Sequence, residues 1–313
     1  MKKYCFGVDI GGTSVKLGLF TCEGELLDKW EIPTSKANGG AAILTDVAAS
    51  LEQKLSEKNL TKEEFVGVGI GIPGPVGADG VVFECVNLGW GTTPVKAEME
   101  KLIGLTTAVG NDANVAALGE QWQGGAKGFQ SSVMIPLGTG VGGGVILNGE
   151  ILAGANGAAG EIGHLYVNYE EEDLCNCGKP GCLEQYASAT GIVKEAKRYL
   201  ATHDEPTCLR GVEPLSAKII CDAAKKGDAV AQKMVDQLGR YLAIACSHLA
   251  HIVDPEVFVI GGGVSKAGEI LLDAIRKHYD PICMKAVKGK PFKLATLGND
   301  AGIYGSAKMV LGK

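Results

Sequence analysis

Within the stretch HLYVNYEEEDLCNCGKPGCLE, His164 to Glu184, four side chains are suited to metal chemistry: His164, Cys175, Cys177 and Cys182. One imidazole and three thiolates make the donor set of a closed tetrahedral zinc site, which leaves no position for a catalytic water. Gly178, Pro180 and Gly181 supply the sharp turns that bring the sulfurs together. The spacing is not that of the usual CxxC fingers, so reactive thiols or a redox pair are the alternatives. The adjoining EEED reads as a solvated acidic loop, because carboxylates compete poorly with thiolates for zinc. A second constellation lies upstream in GNDANVAALGE, where Asn111 and Asp112 fall between a strand and a helix. Phosphoryl transfer to an alcohol needs a carboxylate within hydrogen-bond reach of the hydroxyl, and Asp112 is the candidate base. Asn111 can both donate to and accept from neighbouring hydroxyls. The competing use of either residue is to cap the helix.

Two glycine-rich turns are candidates for phosphate. In DIGGTSVK, Gly11 and Gly12 can take positive φ and let backbone N–H groups approach an anion, while Thr13 adds a hydroxyl and Lys16 a charge. Asp9, ahead of them, suits a hydrated Mg²⁺. A plain hairpin turn with an incidental acid is the alternative. The second turn, GTGVGG from Gly138 to Gly143, matches the dinucleotide pattern GxGxxG, yet GVILNGE after it reads as a strand and turn where that motif must open a helix. A phosphate loop between strands describes it better. A third cluster, IGGGVS, could admit adenine or ribose flat against the backbone, or could be a close-packed strand-to-helix turn.

The elements that must position these residues alternate between strand and helix. YCFGVDI and VKLGLF flank the first turn as a hairpin and GELLDKWEIPT extends it; a helix over GGAAILTDVAASLEQKLSEK and a buried strand in EFVGVGIGIPG follow. PVKAEMEKLIG, LTTAVGND and ANVAALGEQWQG continue as helix, strand and helix, which implies a mixed sheet with helical crossovers. VMIPLGTGVGGGVILNGEIL then repeats the scheme of the first hairpin, the mark of an internally duplicated, two-lobed chain. The remainder is mostly helical, with an apolar-periodic stretch from Asp228 to His251, a strand EVFVIGGGVS, a helix from Ala267 to Tyr279, FKLATLG, and a terminal helix after Asp300. At 313 residues and 46% hydrophobic, the chain can bury a substantial core. A net charge of -6 and the lack of a basic arm leave no footprint for nucleic acid or an anionic membrane. The uncharged Gly128 to Gly149 is broken by a proline and many glycines, and the N-terminus lacks a leader's apolar core, so a cytoplasmic protein with reduced thiols is expected.

Taken together, DIGGTSVK, GIPGPV, NLGW, GNDANVAALGE, LGTGVGGGVILNGE, GAAGEIGHL, CNCGKPGCLE, VIGGGVS and GNDAGIYGSA, in that order, resemble the ROK family of bacterial sugar kinases and repressors, most closely its glucokinases. The resemblance implies an α/β fold of the two-lobed actin-like (hexokinase or ribonuclease H-like) ATPase class, whose lobes close around ATP and a sugar. Residues 1–118 with 300–313 would form the smaller lobe and 119–299 the larger. ATP would meet Asp9, Gly11, Gly12, Thr13, Lys16, Thr139 and Gly140, with Gly263 bordering the adenosine. Asp112 matches the catalytic base and Asn111 its sugar-binding neighbour. Glu161, His164 and Glu184 match positions that hold sugar hydroxyls, with Gly74 and Asn87 near the sugar. His164 would then bind structural zinc through one ring nitrogen and the sugar through the other. Family repressors carry a helix-turn-helix ahead of the first phosphate loop, whereas eight residues precede Asp9 here. The expectation is therefore an ATP- and Mg²⁺-dependent hexose kinase that makes glucose 6-phosphate from glucose, with another hexose or N-acetylhexosamine as the alternative substrate, and that forms a homodimer or homotetramer. A non-catalytic sugar sensor is the rival from another class.

Overall fold

The structure, a computed structural model, describes residues 2–312. In chain order the elements are β1 (Tyr4–Ile10), β2 (Ser14–Thr21), β3 (Leu26–Pro33), the single turn α1 (Ala37–Gly40), α2 (Ile43–Lys58), β4 (Phe65–Ile72), α3 (Val95–Ile103), β5 (Thr107–Asn111) and α4 (Asp112–Gln123). There follow β6 (Ser132–Pro136), β7 (Gly144–Leu147), β8 (Glu150–Ile151), α5 (Glu184–Ala187), α6 (Ala189–Thr202), α7 (Ala217–Lys225) and α8 (Ala229–Val253). β9 (Val257–Gly261), α9 (Glu269–Ile282), β10 (Phe292–Leu294) and α10 (Ala301–Leu311) complete the chain. Among the described residues no helix is long and apolar enough to cross a membrane.

Two compact units share these elements. The first takes the chain up to Gln130, Gly144–Gly160 and the segment from Leu297; the second takes Ser131–Gly143 and Glu161–Thr296. In the first unit the sheet order is β3-β2-β1-β4-β5, antiparallel over β1–β2–β3 and parallel over β1–β4–β5. β1 and β4 carry apolar side chains on one face, among them Phe6, Val8, Val68 and Ile70, which join a core with Val47, Leu51 and Leu55 of α2 and Met99 of α3. The three- and four-residue spacing on α2 is what turns that stripe inward.

The opposite face of this sheet carries a row of small residues beside Cys5 and Phe20. Register aligns Gly18 of β2, Gly7 of β1, Gly69 of β4 and Ala108 of β5 in one row. The bare backbone admits α10 at a distance no side chain would allow. A Cβ on Gly7 would stand 2.0 Å from the Ile303 carbonyl oxygen, and one on Gly69 would stand 1.7 Å from that of Ser306. α4 meets α10 in the same manner, since a Cβ on Gly305 would lie 1.7 Å from the Val115 oxygen and one on Gly119 would lie 2.2 Å from that of Ala301. The Ser306 hydroxyl fastens the helix by donating to the Val8 oxygen at 2.8 Å.

In the second unit β6, β9 and β10 run parallel, with β9 in the middle and buried along its whole length. Phe258 stacks on Phe292 at 5.2 Å between centroids, and Tyr279 of α9 closes edge-on against Phe292. The helix expected from Ala267 begins later. Val264–Ala267 forms a 3-10 turn, and Gly268, at φ 76° and ψ -144°, interrupts it before α9 starts at Glu269. α8 starts where its sequence says it should, with the Asp228 carboxylate accepting from the Ala231 N–H at 2.9 Å.

Candidate active site

The first unit holds one set of candidate residues. β1 and β2 pair Asp9 with Lys16, and the link between the strands closes where the Gly11 N–H donates to the Ser14 oxygen at 3.0 Å. The positive φ expected of Gly11 and Gly12 is absent, since neither is among the described glycines with such a backbone. What the turn needs from them is space: a Cβ on Gly11 would come within 2.9 Å of the Ser14 oxygen. Lys16 reaches along the hairpin to donate to the Asn299 carbonyl at 3.2 Å. Asp9 lies against the start of α10, where a Cβ on Gly302 would stand 2.6 Å from the carboxylate. Burial, chiefly, pushes the Asp9 carboxyl up to about 6; Lys16 opposes the shift and Asp112 adds to it.

Asp112 is the first residue of α4, and Asn111 is its N-cap. The helix-capping and functional readings of Asn111 fall on different atoms. Its Oδ1 accepts from the N–H groups of Ala113 and Asn114 at 3.1 and 3.2 Å, while its Nδ2 donates to the Gly74 carbonyl and to Asp112 Oδ1, each at 3.1 Å. Asp112 Oδ1 also accepts from the Ala113 N–H at 2.8 Å. Burial raises the Asp112 carboxyl above the usual range, while the Ala113 N–H, its own N–H and the Asn111 amide pull the other way. A carboxyl so held is oriented and more basic than a free one, as a general base requires. Gly74, at φ 99°, is confined to glycine, and a Cβ there would meet the Glu84 oxygen at 2.5 Å. Asn87 stands beside the first turn, its carbonyl oxygen 3.8 Å from where a Cβ on Gly12 would be.

One residue of this set went unread in the sequence. Asn114, one turn beyond Asn111, is 4% exposed, and its Oδ1 has no hydrogen-bond partner among the described residues. With Asn111, Asp79 and Phe83 it lines a cavity of about 690 Å³ inside this unit. A buried acceptor left without a donor calls for a ligand or water that brings one. The signal was present in NDAN, where three polar residues in four exceed what a cap requires.

The second unit holds the other set. Its glycine turn is pinned by the Gly138 N–H to the Gly140 oxygen at 2.9 Å and the Gly142 N–H to the Pro136 oxygen at 3.1 Å. The Thr190 hydroxyl donates to the Thr139 carbonyl at 2.8 Å. Glu184, at the start of α5, lays its carboxylate on this turn: Oε2 accepts from the Val141 N–H at 3.0 Å and lies 2.1 Å from where a Cβ on Gly140 would be. Glu161 and His164 bracket the 3-10 turn Ile162–His164, which presses on the same turn at Gly163, where a Cβ would stand 2.2 Å from the Val141 oxygen. Gly262 packs under it as well, with φ 77° and 2.4 Å between a would-be Cβ and the Leu137 oxygen. Gly263 differs, with ordinary helical φ and ψ and nothing within 4 Å of a Cβ. It presents open backbone, which suits a flat ring.

His164, Cys175, Cys177 and Cys182 come together, each offering a ligand atom within 4.8 Å of the others. Cys177 and Cys182 sulfurs are 3.5 Å apart, and the Cys175 sulfur is 3.8 Å from His164 Nδ1. Sulfurs bound at about 2.3 Å to one tetrahedral zinc stand about 3.8 Å apart, so the donor set fits that ion. Gly178 and Gly181, at φ 85° and 76°, make the turns. The cluster touches the glycine turn through Glu184, whose Oε1 lies 3.9 Å from the Cys175 sulfur.

Two α/β units, glycine turns that end strands, and an oriented carboxylate at a helix start define the actin-like ATPase class. Residues 5–313 match the profile of the ROK family, and the chain belongs to that family. It is 45% identical over 313 residues to a glucokinase from Halalkalibacterium halodurans, covering 98% of this chain and 95% of that one. Among solved structures it resembles a ROK hexokinase from Thermus thermophilus, with a TM-score of 0.79, 31% identity, and 97% and 96% of the two chains covered. It also resembles a ROK glucokinase from Streptomyces griseus in complex with glucose and AMPPNP, with a TM-score of 0.73, 35% identity, and 97% and 98% covered.

Proposed function

We propose that this protein is an ATP-dependent glucokinase with Asp112 as its general base. The observation that carries this reading is the setting of Asp112, half-buried, raised in basicity and oriented by Asn111 and the α4 backbone, in a chain 45% identical to a glucokinase along nearly its whole length. In the reaction the sugar 6-hydroxyl oxygen forms a bond to the γ-phosphorus as the bond to the β,γ-bridging oxygen breaks. The hydroxyl proton passes to Asp112, and ADP carries away the bonding electrons. Asn111, Glu161, His164 and Glu184 serve as hydrogen-bonding partners of sugar hydroxyls, with Gly74 and Asn87 beside them. Amides and carboxylates pair well with vicinal hydroxyls and leave an analogue lacking them unsatisfied.

Gly11, Gly12, Thr13, Lys16, Thr139 and Gly140 would form the phosphate surfaces in this reading, Asp9 would hold a hydrated Mg²⁺, and Gly263 would border the adenosine. Bound Mg²⁺ would neutralise charge on the transferring phosphoryl group. Zinc on His164, Cys175, Cys177 and Cys182 would be structural, because four protein ligands leave it nothing to activate. It would hold His164 and, through the loop, Glu184 in place. The family resemblance adds a homodimer or homotetramer in the cytoplasm, the assembly being measurable by light scattering.

ADP release coupled to sugar addition, over a panel of hexoses and N-acetylhexosamines, tests the function. Glucose-dependent turnover that vanishes in Asp112→Ala while glucose still binds is the expected result. Glucose binding with no turnover in the parent protein would make it a sensor instead.

A further inference from the structure

We propose that Lys36 is a catalytic residue that binds the transferring phosphoryl group over the first glycine turn, an inference that rests on the kinase reading above. The sequence reading placed the cation of this turn at Lys16. In the structure the Lys16 ammonium is engaged with the Asn299 carbonyl. Lys36 stands at the turn as a second cation: its Nζ is 3.5 Å from where a Cβ on Gly12 would be, nearer than the Asn87 oxygen at 3.8 Å.

The approach follows from how the chain leaves β3. The Thr34 hydroxyl donates to the Gly11 carbonyl at 2.7 Å, and the Thr34 N–H donates to the Thr13 carbonyl at 3.0 Å. These two bonds fix the backbone two residues before Lys36 on both sides of Gly12. Beyond it, α1 is held by the Trp90 indole N–H, which donates to the Gly40 carbonyl at 3.1 Å. Lys36 is therefore carried on a segment anchored at both ends, although its own side chain is exposed. Among the described residues that side chain makes no hydrogen bond or ion pair, so a ligand would not have to displace a partner.

Charge on the transferring phosphoryl group spreads over its three equatorial oxygens, and an ammonium with three donors can follow it without changing protonation. Lys36 thus acts by electrostatic stabilisation and takes part in no covalent step. Asp112 removes the proton and Lys36 receives the charge.

The test uses the full chain with Mg²⁺ and compares Lys36→Met, Lys36→Arg and the parent. A charge contact made in the transition state predicts a fall in kcat of about a hundredfold or more in Lys36→Met, with partial recovery in Lys36→Arg. Glucose affinity without nucleotide should stay within about twofold, and calorimetry should show AMPPNP binding weakened about tenfold while AMP binding is unchanged. A kcat within about threefold of the parent would overturn the proposal. Equal losses for glucose, AMP and AMPPNP would also overturn it, by marking a merely structural role. A parent that binds AMPPNP but turns over no sugar would defeat the kinase reading, and unchanged AMPPNP affinity in Lys36→Met would then refute the phosphate contact separately.

Discussion

Replacing Gly140 by alanine should separate two jobs of the second glycine turn. The family pattern gives Gly140 to ATP, whereas the structure puts the Glu184 carboxylate in the space its side chain would take, with 2.1 Å between Oε2 and the alanine Cβ. Carbon and oxygen rest no closer than about 3.3 Å, so the carboxylate must withdraw by about 1.2 Å. That movement breaks its 3.0 Å bond from the Val141 N–H, the contact that orients it. A hydrogen bond to a charged group contributes about 1.5 to 3 kcal/mol. If Glu184 holds a sugar hydroxyl as proposed, glucose affinity should fall by about ten- to a hundredfold. Only the end of a flexible side chain moves, and Gly140 is not among the positive-φ glycines, so stability should change by less than about 1 kcal/mol. Calorimetric titration with glucose, together with KM for glucose and for ATP, decides the matter. Glucose KM should rise much more than ATP KM. Unchanged glucose affinity, or a loss confined to ATP, would refute the role given to Glu184.

Gly69→Ala should lower stability by about 3 kcal/mol or more, read as a fall in the urea midpoint at constant slope, because backbone stands on both sides of the 1.7 Å contact; Gly263→Ala, with nothing to strike, should stay within about 1 kcal/mol of the parent. Chelation of zinc, or Cys177→Ser, should reduce thermal stability and glucose affinity together; metal analysis finding no stoichiometric zinc in active protein would remove the basis for both effects. Burial pushes the Asp9 carboxyl up to about 6 in the folded chain from 3.8 when it is free, so the folded state binds more protons between those values and loses stability as pH rises through them. The full penalty, at most about 3 kcal/mol, is present above pH 6. Asp9→Asn should therefore be more stable than the parent at pH 7.5 but not at pH 3.5, and calorimetry at the two values checks it. Equal gains at both would show that the charge is not the cause.

Much of the candidate site was legible because its parts lie close together in sequence. GNDAN sets a strand end against a helix start, and the candidate metal ligands fall within one loop whose glycines are the turns themselves. The alternation of short strands and helices gave the order of elements for the same reason. What escaped depends on contacts between distant segments. The glycines of FGVDI and VGVGIGI read simply as parts of buried strands, and only the seating of α10 explains why no side chain is tolerated there. Lys36 belongs to no glycine motif and reaches the turn through hydrogen bonds made by Thr34. Gly11 and Gly12 were credited with unusual backbone angles, but it is crowding by the Ser14 oxygen that demands a bare backbone at Gly11.

The seating of the last helix on the first strand also sets an order in time. A ribosome makes Asp9 and Asp112 early, yet the helix that packs behind the first strands, with Ile303 against Gly7, Ser306 against Gly69 and Gly302 against Asp9, is translated long after them. Until that helix emerges, the first unit of a growing chain leaves this row of glycines uncovered. The turn after β1 and the carboxylate at the start of α4 gain that support only once α10 has been made. A chain truncated before Leu297 would carry Asp9, Asp112 and both glycine turns without the helix that packs on β1 and β4.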